Sequence, residues 1–133
     1  MIDYIDFEIK HLHTMDMREE SKQEISGEGG ADVLLDISTE TRTAMLGDEV
    51  FCCFGLTQCG GIWALTSNLV KEHPVKFARA AKAFLTETAK KNYVYTFSNS
   101  DGFHTRFMRF LGFTAVDEFV ESSGIMYQRH EVV

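Results

Sequence analysis

Among the residues of this chain able to exchange protons are His104, Glu49 and Asp101. His104 sits in FHTRFMRFLGF, residues 103–113, close to the start of a segment with helical spacing. A helix N-terminus and the nearby Arg106 and Arg109 bias an imidazole towards its neutral form, which can take up a proton near neutral pH. The same placement suits a structural donor or cap. Glu49 falls on an expected hairpin and Asp101 just ahead of the helix, where a carboxylate can also act on a proton. His11 and His13 are spaced i, i+2 and would share one face of a strand, but no third ligand type lies nearby in sequence, so no metal site is expected. Cys52 and Cys53 are adjacent and would point to opposite faces of a strand, while Cys59 falls in a loop; all three read as reduced thiols. Neither a Ser-His-Asp constellation nor a phosphate-binding P-loop pattern is present.

The elements that must hold these groups follow from periodicity. Phe103, Phe107, Phe110 and Leu111 recur at i, i+4, i+7 and i+8, which predicts a short amphipathic helix whose aromatic stripe is core and which stops at Gly112. IDYIDFEI, residues 2–9, alternates and predicts a strand. DMREESKQEI, residues 16–25, predicts a helix with Asp16 as cap and Glu19 reaching back. SGEGG, residues 26–30, is a break. ADVLLDI, residues 31–37, fits a helical turn or a strand and is read as helix. TRTAML, Gly47-Asp48 and EVFCCFGL form an expected hairpin. GIWALTS, residues 61–67, is apolar on both faces and reads as an interior strand. Pro74 suits a helix N1 position, and Phe77, Ala81, Phe84, Leu85 and Thr88 form the buried side of the helix that follows. YVYTFS, residues 93–98, is a further strand, and TAVDEFV and IMYQRHEV form a terminal hairpin through ESSG. A long helix between strands is a βαβ crossover, so a mixed sheet with a parallel pair in its middle is expected.

A length of 133 residues with 11 Phe, 4 Tyr and 1 Trp suits a single domain over residues 1–133. The formal net charge of −7 argues against nonspecific nucleic-acid binding. Charge is unevenly spread: residues 1–50 hold 4 Lys and Arg against 13 Asp and Glu, whereas residues 68–112 hold 8 against 3. A local anion site inside an acidic protein would fall in that basic stretch, which a solvated helix face explains equally well. No run of about 18 apolar residues suggests a membrane span, and the acidic start MIDYIDFEIK lacks the pattern of a secretion signal.

The order of elements, ending in strand, Ser98-Asn99, short helix, Leu111-Gly112-Phe113 and strand, resembles the GNAT acyltransferase fold, an α+β architecture with a central mixed sheet flanked by helices. Many members carry N-x-x-A-x-x-x-Y-x-x-x-G-F at this helix. His104-Thr105-Arg106-Phe107 with Arg109 and Leu111-Gly112 is also similar to H-x-R-F-x-K-x-x-G in small internal virion proteins of short-tailed phages. The W-x-x-T-S segment at Trp63, Thr66 and Ser67 fits that group.

The resemblance implies acetyl-CoA as cofactor, held where two parallel strands, GIWALTS and YVYTFS, splay apart, with its pyrophosphate at Asn68 to Val75. The implied cofactor contacts are Leu65, Thr66, Ser67, Asn68, Lys71, Ser98, Asn99 and Arg106; the implied base, acting on an amine, is Glu49, Asp101 or His104. Two departures stand out. Residues 65–75 contain no glycine where the family uses one to curl backbone around phosphate. The tyrosine that often protonates the leaving thiolate falls on Met108, with Tyr93, Tyr95 and Tyr127 as replacements. The implied role is therefore an N-acyltransferase of weakened or lost catalysis, or a non-catalytic binding protein. Its partner would be a host or virion protein or a second copy, and its place host cytoplasm or virion.

Overall fold

Alternating β-branched and aromatic stretches make seven strands and amphipathic stretches six helices in the described residues of a computed structural model. Those residues are 2–25, 30–100, 102–122 and 124–132; the side chains of Glu24, Phe103 and His104 lie outside them. In chain order the elements are β1 (Ile2–Asp6), α1 (Lys10–Thr14), α2 (Glu19–Glu24), α3 (Gly30–Ile37), β2 (Ser38–Leu46), β3 (Glu49–Thr57) and β4 (Ile62–Thr66). They continue with α4 (Leu69–Glu72), α5 (Pro74–Ala89), β5 (Val94–Asn99), α6 (Gly102–Phe110), β6 (Thr114–Ser122) and β7 (Ile125–Val132). The chain divides into two compact units, one formed by residues up to Gln58 with Ile62–Pro74, the other by Cys59–Gly61 with the residues from Val75 onwards.

The first unit is built on the antiparallel sheet β1-β2-β3-β4. Its core gathers Phe7, Met15, Met17, Val50, Cys53 and Leu65, with Leu12 of α1, Leu34 and Leu35 of α3, and Trp63 packed against them. Trp63 fits because Gly55 lies opposite it in the ladder; a Cβ at Gly55 would come within 2.6 Å of the indole. The first strand is shorter than expected. Ile9 and Leu12, at i, i+3, turn towards the core and draw residues 10–14 into α1, so His11 and His13 are helical rather than strand neighbours. The expected Asp16 cap is also corrected. Met17 bridges Ser67, and the flanking Asn68 N–H donates to Asp16 O at 2.8 Å and Arg18 N–H to Thr66 O at 2.9 Å. These bonds hold residues 16–18 extended, and α2 starts after an Arg18 N-cap that makes no side-chain capping bond.

The second unit carries the sheet β5-β7-β6, in which β7 runs antiparallel to both neighbours. α5 starts at Pro74 as expected, with Leu85 buried and Phe77, Ala81, Phe84 and Thr88 half-buried on its inner side. The α6 stripe is rotated from the expected one. Met108 and Leu111 are buried, Phe107 stacks on Phe77 at 5.9 Å, and Phe110 is 50% exposed beneath the Lys82 ammonium, 4.7 Å from its ring. The break at residues 26–29 lies outside the described residues.

The expected parallel pair is reduced to one bridge, between Gly61 and Tyr95, where Tyr95 N–H donates to Gly60 O at 2.9 Å. Gly60 has φ +92, and a Cβ there would overlap the Tyr93 carbonyl, so only glycine permits this approach. Past the bridge, β4 ladders with β3 and β5 with β7. β4 is also less enclosed than its composition suggests: Leu65 and Thr66 are buried, but Ala64 is exposed.

Candidate functional site

The turn that leaves β4 is where the resemblance implied a cofactor cradle, and its polar groups are bonded within the protein. Leu65, Thr66 and Ser67 are buried, Ser67 completely. Ser67 Oγ donates to Phe51 O at 2.8 Å and accepts from Leu69 N–H at 3.2 Å. Thr66 N–H donates to Ser21 Oγ at 2.9 Å, and the two hydroxyls lie 3.2 Å apart. The amides of Ser67 and Asn68 donate to Phe51 O and Asp16 O, and those of Val70 and Lys71 to the carbonyls three residues back. The segment read as a phosphate loop therefore contains a short helix, α4, whose amides face internal acceptors. Lys71 projects into solvent.

On the other unit, Ser98 and Asn99 are half-buried at the end of β5, opposite Gln128 and Tyr127 of β7. Arg106 is exposed on α6. Asp101 lies outside the described residues, as does the side chain of His104, whose backbone belongs to α6. Two of the three tyrosines considered as proton donors, Tyr93 and Tyr95, are engaged elsewhere. Tyr93 Oη donates to Glu131 and accepts from Arg129 Nη2 at 2.8 Å, while the Arg129 guanidinium stacks 4.0 Å over Tyr95. Burial first, and then the Cys59 thiol beside it, push the Tyr95 hydroxyl above its ordinary value.

Glu49 is the one candidate base with a described side chain, and it lines a cavity of about 290 Å³ in the first unit. Asp16, Asp48 and Glu72 line it too, with Thr14, Val50, Ser67 and Leu69. The hairpin turn at Gly47-Asp48, the α1–α2 connection and α4 bring these carboxylates together from three separate stretches. Sequence reading had no signal for that convergence beyond the acidic excess of residues 1–50. Such a cavity attracts cations and would disfavour an anionic ligand. Among the described residues, no three His, Cys, Asp or Glu are arranged as metal ligands.

The three cysteines are free. Burial pushes Cys52 up to about 12 and Cys53 up to about 11, so neither holds a thiolate near neutral pH. A polar chain inside the first unit also escaped sequence reading: Thr43 Oγ1 lies 2.7 Å from His11 Nδ1 and 3.6 Å from Cys53 Sγ. No described helix is long and apolar enough to cross a membrane.

Comparison with solved structures places this architecture. The chain matches an acyl-CoA N-acyltransferase from Pseudomonas aeruginosa with a TM-score of 0.66 at 15% identity, covering 100% of both chains. It matches a Bacillus subtilis acetyltransferase in complex with CoA with a TM-score of 0.61 at 14% identity, over 98% of this chain and 96% of the other. A Desulfovibrio desulfuricans protein assigned to the acetyltransferases of the GNAT family gives 0.57 at 13% identity, over 99% and 97%. No protein-family model matches the sequence, and no curated protein matches it significantly. At these identities the likeness establishes architecture: the chain has the GNAT acyl-CoA N-acyltransferase fold, as the element order led us to expect.

Proposed function

We propose that this protein is an acyl-CoA-dependent N-acyltransferase of weak cofactor affinity, with acetyl-CoA as donor and a cationic amine as acceptor. The observation that carries the reading is the parallel contact of Gly60 and Gly61 with Tyr95, in a chain matched to this fold along its whole length. Fold alone does not specify activity, so the chemistry has to be argued from residues.

Acyl-CoA, when bound, supplies a thioester open to attack by an amine. The chain's part is to hold the phosphates, gather the amine and remove its proton. For the phosphates, α5 offers the fitting end. Pro74 lacks an N–H, but the first-turn amides of Val75 and Lys76 have no intrahelical acceptor, no acid lies in that turn, and Lys76 adds a cation. For the amine, Asp16, Asp48, Glu49 and Glu72 favour an ammonium, and Glu49 is our candidate to take its proton. Asp101 and His104 remain candidates for the same step on the sequence resemblance.

Weak affinity is supported by the turn after β4. Using Thr66 or Ser67 for phosphate would cost the bonds that tie β4 to α2 and β3, and no glycine lets the amides turn outward. A second reading, a GNAT-shaped binding protein without catalysis, is favoured by the buried Met108, at the position to which the sequence resemblance assigns a proton-donating tyrosine. The further idea of a phage protein acting in the virion or on a host target rests on the resemblance at His104 to Gly112 alone.

The test is thermal unfolding with and without acetyl-CoA or CoA. Binding raises the transition by mass action, by about 2.7 kcal/mol at a hundredfold excess over Kd, and no shift at about millimolar ligand overturns the acyltransferase reading. Lys76→Ala should weaken a shift that is seen. Glu49→Gln should leave the shift and abolish release of free CoA thiol in the presence of amines.

A further inference from the structure

We propose that this chain associates with a second copy of itself, the solvent face of α3 on one copy seating on the basic face of α5 and α6 on another. The receiving surface borders the acyl-transfer reading at Val75 and Lys76 and includes Arg106, a cofactor contact implied by the sequence resemblance; α3 is no part of that reading.

The receiving face is built by helix packing within the second unit. Phe77 stacks on Phe107, and Lys82 covers Phe110, so α5 and α6 lie side by side and show their outer sides together. Exposed there are Lys76, Arg79, Lys82, Arg106 and Arg109. None of the five is in an ion pair among the described residues, and neither Pro74–Thr86 nor Gly102–Phe110 contains a carboxylate. Val75 is 61% exposed and Phe110 50%, so the cations are interleaved with apolar surface. In a protein of net charge −7, five exposed cations on α5 and α6 with no ion-pair partner among the described residues mark a place where an anionic partner meets the least repulsion.

α3 has the complementary character. Leu34 and Leu35 pack on the core of the first unit, which turns Asp32, Val33, Asp36 and Ile37 outward. Asp32 and Asp36 are one helical turn apart, as are Val33 and Ile37, so one short face carries two acids beside two aliphatic side chains. Arg79 and Lys82 have matching one-turn spacing on α5.

A nucleic-acid backbone would satisfy the cations but not Val75, and the Lys82 ammonium already covers one face of the Phe110 ring against base stacking. Two such small faces bury less than the roughly 1,200 Å² of a standard interface, so the association is weak and sensitive to salt.

Sedimentation velocity over a range of protein concentrations tests this. The weight-average sedimentation coefficient should rise with concentration at about 0.1 M salt and stop rising at about 1 M, where the screening length falls from about 10 to about 3 Å. Arg79→Glu with Arg109→Glu, or Asp32→Lys with Asp36→Lys, should each weaken self-association more than about tenfold. Mixing the two reversed variants should restore it, which also shows that both are folded. A wild-type protein that stays monomeric at low salt, association that survives either reversal, or a monomer that instead binds a DNA duplex would each overturn the proposal.

Discussion

Thr43 Oγ1 stands 2.7 Å from His11 Nδ1, and the same nitrogen accepts the Glu8 N–H at 3.1 Å. Because a backbone N–H can only donate, Nδ1 is the bare nitrogen of His11, and the Thr43 hydroxyl donates to it. The ring's proton is then on Nε2, 4.0 Å from the Glu8 carboxylate. The Cys53 thiol lies 3.6 Å behind Thr43, so the hydroxyl serves the thiol and shares the imidazole nitrogen with the Glu8 N–H.

Thr43→Val keeps the volume and removes that hydroxyl. It should cost about 1 kcal/mol, the net worth of the lost hydrogen bonds while the Glu8 N–H still satisfies Nδ1, measured as a lower urea midpoint with unchanged m-value. An unchanged midpoint would mean that water replaces the hydroxyl.

His130 is 1% exposed, with Nδ1 3.0 Å from the Gln128 carbonyl oxygen and Nε2 without a hydrogen-bond partner among the described residues. Burial lowers its pKa below the ordinary value, and the Gln128 carbonyl opposes this only in part. The unfolded chain, titrating near pH 6.5, therefore binds a proton that the native chain refuses. Stability contributed by neutral His130 is full above about pH 6.5 and is lost as the pH falls below it. Urea unfolding of wild type and His130→Phe at descending pH should show a shallower decline in the variant.

With Cys52 and Cys53 buried and their thiols pushed up, only Cys59 is open to reagents. Native protein at about pH 8 should react rapidly with a disulfide reagent at this one position, and all three thiols should react after denaturation. Mass spectrometry of the labelled peptides would identify the site, and early labelling of Cys53 would contradict the packing of β3.

The α6 stripe gives a graded series. Leu111→Ala should destabilise by about 2–5 kcal/mol and Phe107→Ala by about 3 kcal/mol through loss of its stack on Phe77. Phe110→Ala, at a half-exposed position, should cost less than about 1 kcal/mol. Thermal denaturation of the three variants ranks them, and Phe110→Ala as the worst would invert the orientation of α6.

Much of this fold is legible in one dimension because the information is local. Gly47-Asp48 joins β2 to β3, Pro74 opens α5, Gly112 stops α6 at φ +103, and the long alternation of residues 114–132 gives the final hairpin. The misreadings occur where a distant contact outbids a local preference. Asp16 would cap α2 by spacing, but the bridge from Met17 to Ser67 holds that stretch extended. Phe110 belongs to the stripe by periodicity, yet in the fold Met108 is buried and Phe110 is half-exposed.

The candidate site was less legible still. The resemblance implied Thr66 and Ser67 as cofactor contacts, and only the partners Ser21 and Phe51, far away in sequence, reveal these hydroxyls as internal ties. By itself the amino-acid order determined the kinds and succession of the longer elements, since hydrophobic period, turn chemistry and capping act over a few residues, while the short helices α1 and α4 were not legible in it. Tertiary structure decided which polar groups are already spent and which carboxylates meet beside Glu49, because a hydrogen bond or a shared cavity depends on distance in space and not on separation along the chain.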